Sequence, residues 1–209
     1  MRLFKILTVF ILAEFHAIAQ SPSPVGIYYL EGVMETASGI KLDADSTFEF
    51  FFSQGALDRT GKGKWSKEGD DLILQSEGLP APGFTLMKSE KRKDGKNTVV
   101  VNETNTMLLS FIYVQLTGAG IPEFLKLGTD GKMEFGKGDV KKIELLFEIC
   151  PERIHEFAPK RSGDNYFEFA IHPEILEVYT KNLKLKFTDG GLEGAHPLLK
   201  GEDFYYRKE

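Results

Sequence analysis

Cysteine is almost absent from this sequence of 209 residues, because Cys150 is the only one. A single cysteine excludes an internal disulfide, so packing alone must stabilise the fold. Cys150 follows an apolar run, where a free thiol usually packs as a small hydrophobic group. A nucleophilic thiol needs a neighbouring base, and His155 is the nearest histidine along the chain. We expect the packed thiol.

An excess of positive charge is also missing. The chain carries 26 Lys and Arg against 31 Asp and Glu, which gives a net charge of −5. Binding to phosphates requires clustered basic residues, and here the lysines are interspersed with glutamates. The short basic run at residues 91–93 is interpreted as a solvated hairpin turn. The sequence therefore predicts no nucleic-acid partner and no attachment to a membrane.

Motifs for metal binding and catalysis are missing as well. His155, His172 and His196 do not fall at metal-ligand spacing, and no cysteine or paired carboxylate joins them. Neither a nucleophile elbow nor a phosphate-binding glycine loop is present. We therefore expect no catalytic residues, no metal and no cofactor.

Phenylalanine, in contrast, is abundant, with 17 residues. Phe48, Phe50 and Phe52 alternate with other residues, which is the spacing of a strand with an apolar inner face. A loop between Gly55 and Gly61 is predicted next, followed by a second strand that carries Trp65, the only tryptophan. Gly63 in that strand predicts a bulge or a close approach of another backbone.

The first third of the chain continues in the same pattern. Residues 26–76 predict about five short antiparallel strands joined by tight turns. Five segments resemble the opening of an uncharacterised family of exported bacterial proteins: residues 32–39, 45–48, 55–59, 61–65 and 68–72. The Asp-x-Thr-Phe turn and the Gly-x-Trp strand are also similar to lipocalin-like β-barrel domains. This resemblance implies a fold and brings no catalytic residues with it.

A Gly/Pro-rich segment at residues 78–83 predicts a domain boundary. The strands that follow include a long apolar one at residues 108–116, and the segment at 84–91 is predicted to pair with the one at 98–102. A Thr-Asp-Gly turn and a late strand at residues 166–171 resemble the layout of the carboxypeptidase regulatory-like, or transthyretin-like, β-sandwich. This resemblance implies a binding or spacer module.

The tail returns to strand spacing and, since five strands would leave an open sheet edge, we expect it to complete the first sheet. The predicted fold is all-β, a lipocalin-like small antiparallel barrel or sheet with an inserted Ig/transthyretin-like β-sandwich. The barrel domain comprises residues 20–78 and 174–209, and the sandwich comprises residues 79–173. About eight strands suffice for a small barrel that fills itself or holds one ligand.

The candidate ligand-binding residues are Trp65, Asp58, Arg59 and Phe50. The adjacent charges of Asp58 and Arg59 suggest an arginine that orients a ligand beside its carboxylate partner. The alternative is local structure, in which Asp58 caps a turn and Arg59 lies over an aromatic ring.

The first residues predict export. Arg2 and Lys5 precede a short apolar run, and residues 17–19 form a small-residue cleavage site. The apolar run is too short to span a bilayer, and no cysteine follows it as a lipidation site. We expect cleavage of residues 1–19 near Ala19–Gln20 and a periplasmic or secreted mature protein without a membrane anchor.

These observations favour a non-catalytic binding protein of the cell envelope, with a small apolar ligand or an envelope protein or glycan as partner. An alternative is a structural or assembly factor of the envelope. A further alternative is a hydrolase that uses carboxylates among Glu152, Glu156 and Asp164.

Overall fold

The computed structural model describes residues 23–120 and 123–209, so the predicted export signal and its cleavage site lie outside the described residues. The strands of the described residues are β1 (Gly26–Leu30), β2 (Thr36–Leu42), β3 (Thr47–Gln54), β4 (Leu57–Glu68), β5 (Asp71–Gln75), β6 (Phe84–Glu90), β7 (Asn97–Asn102), β8 (Ile112–Thr117), β9 (Leu125–Lys126), β10 (Lys132–Phe135), β11 (Lys142–Phe147), β12 (Ile154–Phe157), β13 (Tyr166–Ile171), β14 (Leu183–Thr188), β15 (Gly191–Gly194) and β16 (Phe204–Lys208). Two short helices accompany them, α1 (Thr106–Leu109) and a 3-10 helix (Pro173–Leu176). No helix in this part of the chain has the length and apolar character needed to cross a bilayer.

Eight strands form a closed antiparallel barrel in the order β1-β16-β15-β14-β5-β4-β3-β2. Strands β1 to β5 come from the beginning of the described chain, and strands β14 to β16 come from its end. The barrel closes where β1 pairs with β16, Tyr29 opposite Arg207. The all-β fold class with a barrel is therefore confirmed.

Side chains fill the interior of the barrel. Phe48, Phe50 and Phe52 point inward from β3 and are at most 4% exposed, as their alternation predicts. They pack with buried residues of the other barrel strands: Tyr28, Ile40, Leu42, Leu72, Leu74, Leu185, Leu192 and Tyr206. This arrangement gives the barrel a solid core.

The middle of the chain forms two four-stranded sheets, ordered β10-β7-β13-β6 and β12-β11-β8-β9. Their inner faces share one core, in which Val99, Phe167 and Phe169 of the first sheet meet Ile112, Val114 and Leu145 of the second. The boundaries expected at residues 78 and 174 lie in the segments that connect β5 to β6 and β13 to β14.

Three local predictions are wrong. Strand β13 lies between β6 and β7, so these two strands do not pair with each other. The apolar segment at residues 108–116 begins within α1, because the Asn105 side chain accepts a hydrogen bond from the Met107 N–H and caps a helical turn. The loop predicted up to Gly61 ends early, since β4 already begins at Leu57.

Two connecting segments join the barrel to the sandwich beside β4. The Val178 N–H donates to the Thr60 carbonyl at 2.8 Å, and the Ser76 N–H donates to Thr180 at 2.9 Å. Gly61 is required there, because a Cβ on it would lie 2.6 Å from the Val178 carbonyl oxygen. The backbone of Gln75 approaches Gly63 more closely still. The close backbone approach predicted at Gly63 is therefore confirmed.

Candidate functional site: a groove on the outer face of the barrel

The floor of the candidate site is formed by two rows of residues that cross β1 to β4 on the outer face of the barrel. The strand registers place Tyr29, Gly39, Phe51 and Thr60 side by side in one row. The neighbouring row is Ile27, Lys41, Glu49 and Lys62. The first row contains two aromatic residues, Tyr29 and Phe51, and the other row is mainly charged.

Gly39 makes room for the Phe51 ring in the aromatic row. A Cβ on Gly39 would come within 2.6 Å of the Phe51 ring, so the ring covers the space that a side chain would take. Tyr29 meets Phe51 edge to face, with ring centroids 6.0 Å apart. Tyr29 remains 43% exposed. The two rings form an open aromatic platform on the outer face of the sheet.

The walls of the groove are the two connecting segments. Leu79 and Ala81 line it from the β5–β6 connection, and Val178 and Tyr179 line it from the β13–β14 connection. The Tyr179 hydroxyl donates to the Gly78 carbonyl at 2.9 Å and ties the two segments together. The side chain of Leu79 is 88% exposed although it is large and apolar. Leu79, Tyr29 and Phe51 line the same groove, and a contiguous exposed apolar patch of this kind is typical of a binding site.

The charged side chains that line the groove, in its floor and at its rim, are balanced in sign. Three cations and three anions line it: Lys41, Lys62, Arg153, Glu49, Glu77 and Glu177. Lys41 is engaged by Asp43 at 3.0 Å, and this hydrogen bond raises the pKa of Lys41. Arg153 donates to the Ala81 carbonyl and so holds a wall segment to the sandwich.

The groove has a cavity volume of about 590 Å³. Pockets of this size, mainly apolar with a few polar groups at the edge, hold drug-sized ligands. The combination of exposed aromatic rings, an apolar wall and charges of balanced sign suits a neutral, predominantly apolar molecule.

Two of the residues predicted to bind a ligand lie on the inner face of the barrel. Phe50 is 2% exposed and borders the groove only from within the wall of the barrel. Trp65 is half-buried and packs against the barrel core. Its indole N–H donates to the Asp43 carbonyl at 3.0 Å. Trp65 is absent from the lining of the groove.

Asp58 and Arg59, the other two predicted residues, face opposite sides of β4. Asp58 is exposed, whereas Arg59 is 3% exposed and points inward. The carboxylate partner of Arg59 is Glu152 of the sandwich, with Nη2 2.5 Å from Oε1. The Arg59 Nε also donates to the Leu176 carbonyl at 3.0 Å. The structure thus separates the two adjacent charges and makes Arg59 part of the junction.

His196 lies inside the barrel, and its hydrogen bonds fix its tautomer. Its Nδ1 accepts from the N–H groups of Leu198 and Leu199 at 3.0 and 3.1 Å. The proton is therefore on Nε2, which faces the Ser38 hydroxyl at 3.1 Å. That hydroxyl donates to the Phe51 carbonyl at 2.7 Å. Burial lowers the pKa of His196 to about 4, so the ring is neutral.

The three carboxylates of the hydrolase alternative have separate partners. Glu152 pairs with Arg59, and Glu156 pairs with Lys142 at 3.0 Å. Asp164 accepts from the Ser89 hydroxyl at 2.6 Å. Within the described ranges, no cluster of three or more His, Cys, Asp or Glu residues is arranged to hold a metal ion.

Cys150 lies at the junction near the charged residues Arg59, Glu152 and Arg153, and His155 lies near Arg153. Cys150 is 1% exposed, which confirms the packed thiol, and burial raises its pKa to about 11. Burial is also the main cause that lowers the pKa of His155 to about 4, and its ring meets Phe84 edge to face. A thiol that stays protonated at neutral pH is a poor nucleophile.

Sequence reasoning missed the residues that form the groove, above all Tyr29, Leu79 and Tyr179. The available signal was Phe51, a large aromatic residue on the outer face of a strand whose inner face is already apolar. The pairing of Phe51 with Gly39 depends on strand register, and the sequence alone does not fix that register.

The chain matches no known protein-family model, no curated protein and no solved structure. The resemblances drawn from the sequence therefore stay predictions.

Proposed function

We propose that the protein is an exported, non-catalytic binding protein that holds a small, neutral, predominantly apolar ligand in the groove on the outer face of the barrel. The observation that carries this proposal is the aromatic platform of Tyr29 and Phe51, which lies open beside the exposed Leu79. Because side chains fill the interior of the barrel, we propose its outer face as the binding site of the apolar ligand.

The neutral character of the ligand follows from the charged residues of the groove. Three cations and three anions line it and give no net attraction for a charged molecule. Binding should come mainly from removal of apolar surface from water, which yields about 25 cal/mol per Å². Affinity should therefore depend only weakly on salt.

The test uses N-phenyl-1-naphthylamine, a neutral aromatic probe whose fluorescence rises in apolar surroundings. We expect Phe51→Ala to weaken probe binding about tenfold, through the loss of one aromatic contact and its buried area. Leu79→Ser should weaken it less, about threefold. Leu79 is 88% exposed, so its replacement leaves the folded barrel intact.

The matched control is Met107→Ser. Met107 is also apolar and 69% exposed, but it lies in α1 of the sandwich, away from the groove. Its replacement should leave probe binding unchanged. Probe binding that survives both groove substitutions, or that falls equally in the control, would overturn the proposal. A strong loss of probe affinity at high salt would contradict binding through apolar contacts.

A further inference from the structure

We propose that one end of the sandwich is a docking surface for an anionic lipid bilayer. This surface, the basic end, comprises Lys88, Lys91, Arg92, Lys93, Lys160 and Arg161, all of which are exposed. The inference is independent of the groove and departs from the expectation that the chain does not attach to membranes.

Folding brings two distant basic segments together at the basic end. The Lys160 N–H donates to the Ser89 hydroxyl at 3.0 Å, and the Lys160 ammonium donates to the Met87 carbonyl at 3.3 Å. A Cβ on Gly163 would lie 3.8 Å from the Lys91 ammonium nitrogen. Residues 160–163 therefore lie against the strand that leads into residues 91–93. The sequence shows only short basic runs, whereas the fold concentrates them.

The acidic residues nearby are engaged within the protein and leave this surface positive. Glu168, opposite Lys88 in the strand register, accepts from the Asn102 amide at 2.6 Å and from the Tyr166 hydroxyl at 3.3 Å. Glu90 is engaged by Lys88 at 3.2 Å and by Arg92 at 3.0 Å. Asp164 is 4% exposed and is held by the Ser89 hydroxyl and the Arg161 N–H. Asp94 is exposed in the turn and accepts from the Lys96 N–H.

Four of the six cations form no ion pair with any residue that the structure describes: Lys91, Lys93, Lys160 and Arg161. Of these, the Lys160 ammonium donates to the Met87 carbonyl and keeps its other N–H groups for an external anion. The other two are held in place, because the Arg92 guanidinium lies 3.2 Å from the centre of the Tyr166 ring and the Lys88 ammonium lies 5.7 Å from it. The basic end thus combines positioned and free cations on a chain whose net charge is −5.

Met87 identifies the partner as a bilayer. It occupies the irregular position where the register of β6 against β13 shifts, and its side chain is 57% exposed among the cations. Cations beside an exposed apolar side chain fit a surface with anionic headgroups above an apolar layer. A soluble polyanion such as a nucleic acid would pair with the cations and leave the Met87 side chain exposed to water.

The test is co-sedimentation of the full chain with lipid vesicles. We expect binding to vesicles that contain phosphatidylglycerol and little binding to vesicles of phosphatidylcholine alone. Each cation near an anionic membrane contributes about fivefold in affinity, so Lys91→Glu combined with Lys93→Glu should weaken binding about 25-fold or more. Binding should also fall when salt rises from about 0.1 M to about 1 M, because screening shortens the range of the attraction.

The matched control is Lys186→Glu combined with Lys200→Glu, which changes the net charge equally at exposed positions of the barrel domain. This variant should lose less than about threefold, since long-range charge is screened. Met87→Ser should weaken binding to vesicles about threefold and leave the binding of heparin unchanged.

Three results would overturn the proposal: equal binding to both kinds of vesicle, equal losses in the two double variants, or binding of heparin through the basic end without any binding to vesicles. None of these results bears on the groove, which is tested with a neutral probe.

Discussion

Arg59 of the barrel and Glu152 of the sandwich form an ion pair with a separation of 2.5 Å between Nη2 and Oε1. The two ends of this pair differ in exposure, since the Arg59 side chain is 2% exposed and the Glu152 side chain is 38% exposed. The same guanidinium also holds the Leu176 carbonyl of the second connecting segment. One buried charge therefore joins the barrel, the sandwich and a connection between them.

Removal of Glu152 should be costly, because it leaves the buried guanidinium of Arg59 without its counter-charge. We expect Glu152→Ala to lower the free energy of unfolding by about 3 kcal/mol in urea denaturation. Glu156→Ala is the control, since Glu156 is 59% exposed in its pair with Lys142 and should cost less than about 1 kcal/mol. Equal losses in the two variants would contradict a special role for Arg59.

The neutral His196 should make the protein less stable as pH falls. Its pKa is about 4 in the fold against 6.5 in the unfolded chain, so the unfolded state binds more protons between these values. From pH 7 to pH 5 this difference removes about 2 kcal/mol of unfolding free energy. His155, whose pKa is also about 4, acts in the same direction.

His196→Gln should reduce the loss of stability between pH 7 and pH 5 by about 2 kcal/mol, because one titrating group is gone. Urea denaturation at several pH values within this range measures the effect. A pH dependence that is identical in the variant would show that His196 is not the titrating group. His155→Gln provides the comparison for the second histidine.

Gly63 should not tolerate a side chain. A Cβ there would overlap the backbone of Gln75, which cannot move without separating β4 from β5. We expect Gly63→Ala to cost about 2 kcal/mol or more of unfolding free energy. Gly136→Ala is the control, since nothing lies within 4 Å of a Cβ on Gly136. Similar stability of the two variants would contradict the close approach.

Cys150 should be unreactive in the native protein. Its thiol is 1% exposed, and its pKa of about 11 keeps it protonated at neutral pH. We expect no reaction with a disulfide reagent such as Ellman's reagent within minutes in buffer, and a stoichiometric reaction in urea. Rapid modification of the folded chain would contradict the packing of this residue.

The sequence was sufficient for the barrel because its signal is local and periodic. The alternation of Phe48, Phe50 and Phe52 predicts an inward face, and the tail alternates in the same way at Leu183, Leu185 and Phe187. An open sheet edge then favours pairing between the two ends of the chain. The closed barrel confirms this inference.

Details that depend on pairing between distant residues could not be predicted from the sequence. Arg59 follows Asp58 in the sequence, but strand geometry turns the two side chains to opposite faces. The carboxylate that pairs with Arg59 is therefore that of the distant Glu152. Strand β13 lies between β6 and β7. The turn residues between β6 and β7 suggested a hairpin, but turn residues alone do not determine which strands of a sandwich pair. The groove and the basic end likewise arise only when separate segments meet.

The pairing of β6 with β13 has a consequence for the order in which the chain folds. These strands are the first and last of the sandwich, and beyond them the His172 N–H donates to the Gly83 carbonyl at 2.9 Å. A sandwich that folds first therefore delivers both halves of the barrel to the same place. It shortens the loop that barrel closure must span about fivefold, which lowers the entropic cost by about 1.5 kcal/mol. The inserted sandwich would thus hold the two halves of the barrel in position for closure.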